Sequence, residues 1–549
     1  MRNVSCMKIE SAGQELKITF PYNATLVALV KHLPARRYDP RVRAWFIPIV
    51  GSLEHVEKLA RRGFLIDPKA YASMRSAEVD RIELEALADK EETGFDTTLP
   101  LFPYQRVGSK FLWRAGSGLL ADEVGLGKTI QSLAVIERTK TYPVLVFCPA
   151  ILKYQWEQEI KRFLPAASTT VIDGNALERE KRWKEASDIK IANYELLQRD
   201  FDAISRVKWG MIVADEATRI ANPFTKTYKT ITKLNAAHRI ALTGTPISNR
   251  PDELWGIINW CMPGVLGSYY SFVERYCVKN MWGGIYRYQH LEELQKRIKR
   301  FMIRRRKEDV LPELPEKIVS DVPFLLSEKE WELYQKIRKE LLHEILKEDI
   351  SKLENPITIQ NTLTKMLRLR QIANSLELVG EKTDSSKLEA LREVLSEVVA
   401  EDRKVIVFTF FSGMADILER ELKEYHPLKI TGDVTNSARQ IVIDDFNFKD
   451  EHKVLVMTSA GQYGLNIQAA SCVIHYDQEW SLAKMEQREG RSHRLGQQRS
   501  VLVYNLLAKG TIDEYVRKIL RTKQQLARDL LGDGIGAEEI KGMLNYGDA

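Results

Sequence analysis

The alternation of apolar and polar positions divides the chain into distinct stretches. Residues 7–65 hold short elements in quick succession. "KIESAGQELKITF" alternates with period two on either side of Gly13, which predicts a β-hairpin turning there. "NATLVALVKHLP" places Asn23 to cap a helix that ends at Pro34. "RVRAWFIPI" reads as a strand and "SLEHVEKLARRGF" as a helix stopped at Gly63, after which the acidic, polar "EALADKEETGFDTT" reads as a linker. From about residue 100 the text becomes continuous apolar runs, "PVLVFCPA", "GMIVADEA" and "HRIALTGTP", each ending in a polar or Gly-containing loop and separated by helical segments. Runs of this kind are strands buried on both faces, so the prediction is an α/β fold with parallel sheets between helices. Residues 326–380 are mostly helical. A second β/α series follows with "KVIVFTFF", "HKVLVMTSA" and "ASCVIHYD", and "TIDEYVRKILRTKQQLARDLL" is one more amphipathic helix.

Composition narrows the class. With 549 residues, 44% hydrophobic and 29% charged, the chain has the make-up of a soluble globular protein of three or four domains. No apolar run approaches the roughly 20 residues of a membrane span, and the start lacks the apolar segment of a signal peptide. The five cysteines are scattered without a C-x-x-C pair, which points to a reducing compartment and away from a zinc site or a disulfide framework. A net charge of +7 permits a nucleic-acid partner without demanding one.

Ligands of open parallel sheets sit at the carboxyl ends of the strands, so the loops there carry the candidate chemistry. "SGLLADEVGLGKTIQSLAVIERTK" reads strand, loop, helix. Gly125 and Gly127 free the backbone to converge on a phosphate, Lys128 supplies charge and Thr129 a hydroxyl for magnesium. The general P-loop pattern has a glycine where this chain has Asp122, so the triplet alone leaves a nucleotide site and a chance match both open. Asp215 and Glu216 end the run "GMIVA" as either a metal-and-water pair or two solvated acids. "TGTP" and "TSAGQYGLN" suit site loops and plain turns equally. In "QREGRSHRLGQ", Arg488, Arg491 and Arg494 recur every third residue, along one face if the segment is helical. They read as a solvated basic face or as fingers aimed at a γ-phosphate.

The order of these segments resembles the motifs of superfamily-two helicases, and specifically the Swi/Snf-type ATPases that track along double-stranded DNA. The likeness runs from about Leu99 to Glu514. "LFPYQRVGSKFL" is similar to the adenine-reading Q motif, with Gln105; "LLADEVGLGKT" resembles motif I in that family's own form, with Asp122; "VFCPAILKYQWEQEIKRF" resembles motif Ia, with Pro149 and Trp156. "ADEAT" is similar to the DEAH box, "LTGTPISN" to motif III, "FMIRRRKEDVLPELPEK" to a basic element of the family, and the later segments to motifs IV to VI. Two departures stand out: Thr218 replaces the DEAH histidine, and Gly490 replaces the usual Asp of motif VI. Residues 7–65 resemble the HARP domain of annealing helicases, with Lys31, Arg36, Arg37, Arg41 and Arg43 interleaved with Tyr38 and Trp45. That composition suits a nucleic-acid surface, or a small domain with Trp45 in its core.

The resemblance implies two RecA-like lobes with helical insertions and a small N-terminal α/β domain. The boundaries expected are 1–75 for the small domain, 76–98 for a linker, 99–310 for lobe one, 311–380 for a helical insertion, 381–515 for lobe two and 516–549 for a C-terminal helical segment. It implies ATP and Mg2+ as cofactors. ATP would be held by Gln105, Asp122, Gly125, Gly127, Lys128, Thr129 and Gly464, and the metal by Thr129 and Asp215. Lys128, Glu216, Arg491 and Arg494 would carry catalysis. The partner implied is double-stranded or forked DNA, with no membrane, in the cytoplasm and nucleoid of a prokaryote or virus or the nucleus of a eukaryote. The rival readings are a strand-separating helicase, a non-catalytic DNA-binding scaffold and a restriction-type translocase, the last without a nuclease motif in this chain.

Overall fold

A computed structural model describes residues 7–531 apart from 14, 32, 34–35, 50–51, 89–94, 248–251, 280–284, 348–355, 382–384, 459–466 and 495. The described chain forms two units, the first built mainly from residues up to Arg306 and the second from Lys307–Gln525.

The first unit opens on the expected hairpin, Lys8–Ala12 against Glu15–Thr19, with Gly13 at φ +69° in the turn. Asn23 Oδ1 accepts the N–H groups of Thr25 (2.9 Å) and Leu26 (3.1 Å) and so caps Ala24–Lys31. Arg37–Asp39, Ala44–Pro48 and Leu65–Ile66 complete a five-stranded sheet. Its alternate residues Leu16 and Ile18 bury with Ile9 and Ile47 against Val30, Val56 and Leu59.

The first part of the linker expected over 76–98 is helical. Pro68–Ala88 is one helix, because Ala, Met, Glu, Arg and Leu favour helix however polar their average. On the far side of residues 89–94, Phe95 is buried beside Trp113, 6.1 Å between ring centroids, and Glu137 accepts the hydroxyls of Thr97 and Thr98. That end of the segment is docked on the sheet domain that follows.

The sheet of this domain is parallel throughout, in the order Met302–Ile303, Gly118–Leu120, Ala236–Leu242, Trp209–Asp215, Val144–Cys148, Ile189–Asn193, Thr169–Val171. Leu120 pairs with Leu242 and Leu242 with Asp215, so three strands end at one level. The loops predicted to hold chemistry therefore leave the same edge of the sheet.

The second unit repeats the scheme with six parallel strands, in the order Lys317–Phe324, Val501–Ala508, Ala470–His475, Lys404–Phe408, Val454–Met457, Leu428–Ile430. Val405 and Val407 point into one core and Ile406 and Phe408 into the other, as period two requires of a strand covered on both faces. The helical insertion expected over 311–380 needs correction. Lys317–Phe324 is an edge strand paired with Val501–Ala508 along its whole length, and its half-exposed residues hid it from a search for apolar runs. Helices Glu328–Lys347 and Pro356–Asn374 follow. A buried polar hub ties them to the sheet: Asn374 Nδ2 donates to Asp477 (2.8 Å), and Lys387 Nζ donates to Asn374 Oδ1 (2.9 Å) and Asp513 (2.6 Å). The last helix starts at Ile512, four residues before the expected boundary, and buries Val516 and Leu520 beside Leu482 and Met485.

His475 is fully buried, with Nε2 3.6 Å from Glu489, which also accepts Lys317 Nζ at 2.8 Å. Burial lowers its pKa from the ordinary 6.5, outweighing the opposite pull of Glu489. Below about pH 6.5 the unfolded chain takes up a proton that the folded one refuses, so this contribution is present above that pH and lost as pH falls. The melting midpoint should therefore drop between about pH 7 and 5.5, and His475→Asn should flatten the drop. An unchanged slope in that variant would assign the effect to other groups.

Candidate nucleotide site

The segment after Gly118–Leu120 turns through Gly125 (φ +96°) and Gly127 (φ +73°) into the helix Lys128–Thr139. Both glycines hold left-handed conformations that disfavour a Cβ. At Gly127 a Cβ would also stand 2.5 Å from Gln105 Nε2, so the glutamine of the predicted Q motif lies against the loop. Gln105 is buried, and its Oε1 accepts the Phe102 N–H at 3.0 Å, fixing the start of its own helix.

Lys128 Nζ donates to the carbonyls of Asp122 (2.7 Å) and Glu123 (3.2 Å), folding the side chain over the loop. Burial lowers its pKa, against the attraction of Glu216, Asp122, Asp215 and Glu123. The structure thus brings Lys128 into the field of the acidic pair two strands away. Thr129 lies in the first turn of the helix and is half-buried.

Asp215 closes its strand with both carboxylate oxygens engaged. Trp156 Nε1 donates to Oδ2 at 2.8 Å and the Glu216 N–H donates to Oδ1 at 2.9 Å, while the Asp215 carbonyl accepts the Tyr194 hydroxyl at 2.7 Å. Burial raises its pKa, opposed by those bonds and by Lys128. Glu216 has φ +50°, sparsely populated for a residue with a side chain, which turns it out of the strand line. Thr218 stands in the short 3-10 turn Ala217–Ile220 that follows. In the "TGTP" loop, Thr243 and Thr245 are buried and the Thr245 N–H donates to Thr243 Oγ1 at 3.1 Å.

Asp122 sits at the centre of a polar cluster. It is fully buried, and its carboxylate meets Arg305 and Gln131. Sequence reasoning named neither partner. Arg305 lay within the quoted basic element, and its pairing across 183 residues leaves no local signal.

In the second unit the helix Leu482–Glu489 stops at Gly490, so the expectation that Arg488, Arg491 and Arg494 share a helical face fails. Arg488 is fully buried, 2.9 Å from Glu479 and with its guanidinium 5.1 Å from the Phe408 ring centroid, which makes it structural. Arg491 is buried, and Arg494 is half-buried in the turn that follows. Gly490 has φ −66°, a conformation open to any residue. Gly464 lies outside the described residues.

A phosphate-type loop opening a helix, and an acidic pair ending a strand at the same sheet edge, make a nucleotide site recognisable. The model of the SNF2-related domain matches residues 69–378, more than half of the chain, and that of the helicase conserved C-terminal domain matches 386–496. The chain belongs to the SNF2 family. It is 33% identical over 448 residues to an uncharacterized ATP-dependent helicase of Mycoplasma genitalium, covering 79% of this chain and 42% of that one. It is 28% identical over 491 residues to the SWI/SNF-related matrix-associated actin-dependent regulator of chromatin subfamily A member 1 of Mus musculus, covering 82% of this chain and 46% of that one. Among solved structures it resembles a Sulfolobus solfataricus SWI2/SNF2 ATPase core in complex with dsDNA, at 31% identity and TM-score 0.41, covering 82% of this chain and 98% of that one. The chain spans less than half the length of the curated relatives it matches. Residues 7–65 lie outside both matched domains. Among the described residues no helix is long and apolar enough to cross a membrane.

Proposed function

We propose that this SNF2-family chain is a DNA-stimulated ATPase that translocates on double-stranded or forked DNA and remodels it, by annealing, by fork remodelling or by displacing bound protein. The observation that carries the reading is the sheet register that ends the strands before the cradle loop and before the Asp215–Glu216 pair at one edge, with Lys128 drawn electrostatically towards that pair. The N–H groups of the Gly125–Thr129 turn, at the N-terminus of a helix, take the phosphates. Lys128 exchanges the carbonyls of Asp122 and Glu123 for phosphate oxygens. Thr129 and Asp215 offer the hard oxygen donors that magnesium takes, and bound there it would neutralise charge developing on the phosphates. Trp156 and the Glu216 N–H hold the Asp215 carboxylate in orientation. Glu216 accepts a hydrogen bond from the attacking water and aims it, and Arg491 and Arg494 stabilise the transferring group. Gln105 reads the adenine, and Gly464 completes the nucleotide contacts. Closure on ATP and reopening after hydrolysis would carry the two lobes along DNA.

A duplex partner is proposed from the match to the SNF2-related domain and from the likeness of the motifs to the Swi/Snf-type ATPases. Forked DNA is the finer proposal and rests on the N-terminal sheet. Lys31, at the end of the adjoining helix, and Arg37, Arg41 and Arg43 are exposed, Tyr38 lies 5.0 Å from Trp45 between ring centroids, and the Arg37 guanidinium sits 4.5 Å from the Phe46 ring centroid. Replacing Lys31, Arg41 and Arg43 by Ala should weaken binding to forks more than to plain duplex. Each lost phosphate contact should flatten the log–log salt dependence by about 0.7 to 0.9. Equal losses on both substrates with no change in slope would make this sheet a packing element.

The function itself is tested by measuring ATP turnover with duplex, single-stranded and forked DNA. Stimulation by duplex or fork is expected. Stimulation by single strands alone, or strand separation of a duplex, would favour the helicase alternative that Gly490 in motif VI leaves open.

A further inference from the structure

Asp122 occupies the place where the general phosphate loop has its first glycine, and the structure gives it a task. Arg305 approaches it as a fork, with Nε donating to Oδ1 at 2.9 Å and Nη2 to Oδ2 at 2.5 Å. Gln131, in the cradle helix, donates from Nε2 to Asp122 Oδ2 at 3.0 Å and towards the Gly127 carbonyl at 3.4 Å, and its Oε1 accepts Arg305 Nη2 at 2.8 Å. Arg305 Nη1 donates to the Tyr104 carbonyl, beside Gln105. The backbones run together as well: the Ala121 N–H donates to the Ile303 carbonyl (2.8 Å) and the Glu123 N–H to the Arg305 carbonyl (3.0 Å). Gly108 is pressed so close that a methyl there would collide with Gln131 Oε1 and Arg305 Nη2. One residue beyond Arg305 the chain leaves the first unit.

We propose that Arg305 is a positioning residue for ATP: through Asp122 and Gln131 it fixes the cradle's backbone, so that the segment leading out of the first unit and the loop that takes the phosphates hold one another in place. The inference rests on the ATPase reading above. It accounts for the aspartate, because glycine at position 122 would leave a largely buried guanidinium without its counter-charge. It also accounts for the residue type: a planar fork can serve two carboxylate oxygens, an amide and a carbonyl at once, whereas an ammonium group is a point charge.

The test is the KM for ATP and kcat of the full chain at saturating duplex DNA, with melting midpoint and duplex affinity measured on the same samples. The variants are Arg305→Ala, Arg305→Lys, Asp122→Asn, Gln131→Leu and Gly108→Ala. Arg305→Ala and Asp122→Asn should raise KM by about tenfold or more, with duplex affinity within about twofold, on the scale where tenfold is about 1.4 kcal/mol. Arg305→Lys should resemble Arg305→Ala and not the unaltered chain. Gln131→Leu and Gly108→Ala, which leave the ion pair's charges in place, should raise KM several-fold and decide the matter if the charge-removing variants fail to fold. Folded Arg305→Lys, Gln131→Leu and Gly108→Ala with unchanged KM would overturn the proposal. So would parallel losses of midpoint, duplex affinity and kcat, which would mark a purely structural pair. Absence of ATP turnover in the unaltered chain would refute the ATPase reading itself.

Discussion

Lys128→Ala should take ATP turnover below detection while leaving the fold and DNA binding in place. The lysine's ammonium bridges two loop carbonyls, and burial already works against its charge, so removal costs the fold little. The nucleotide loses the only cation that the cradle loop supplies, at the point where negative charge must be balanced. Phosphate release with and without duplex DNA, alongside a thermal melt, measures both halves of this expectation. Turnover at the unaltered rate would remove the phosphate site from this loop.

The second large effect is expected at Glu216. Glu216→Gln keeps the length and polarity of a side chain held at φ +50° but removes the carboxylate proposed to orient the water. Mg-ATP should still bind, with hydrolysis slowed by roughly 10²- to 10⁴-fold, the range usual for a positioned acid or base. Binding of a fluorescent ATP analogue and single-turnover hydrolysis separate the two steps. Loss of binding would mean that Glu216 serves the loop's structure and not the reaction.

What could be read from the sequence followed local physics. Asn23, Gly13 and Gly63 marked their turns and caps because each acts within a few residues. The central strands, such as Val144–Cys148 and Lys404–Phe408, were legible because burial on both faces leaves unbroken apolar runs. Lys317–Phe324 was missed because its residues are mixed and largely half-exposed, and Thr169–Val171 because three residues, two of them Thr, make no apolar run. The cradle's loop and helix stood in the text, but the use of Asp122 did not, since Arg305 reaches it only through the pairing of Met302–Ile303 with Gly118–Leu120. Spacing alone also misjudged the arginines of motif VI, where the helix ends at Glu489 and only Arg488 belongs to it.

Displacement of a third strand from a DNA triplex reports the proposed ATP-driven movement along duplex DNA. The chain with ATP should release the third strand while the underlying duplex stays paired, and Lys128→Ala should release none. Hydrolysis of ATP with the third strand left in place, or release accompanied by separation of the duplex strands, would contradict the account.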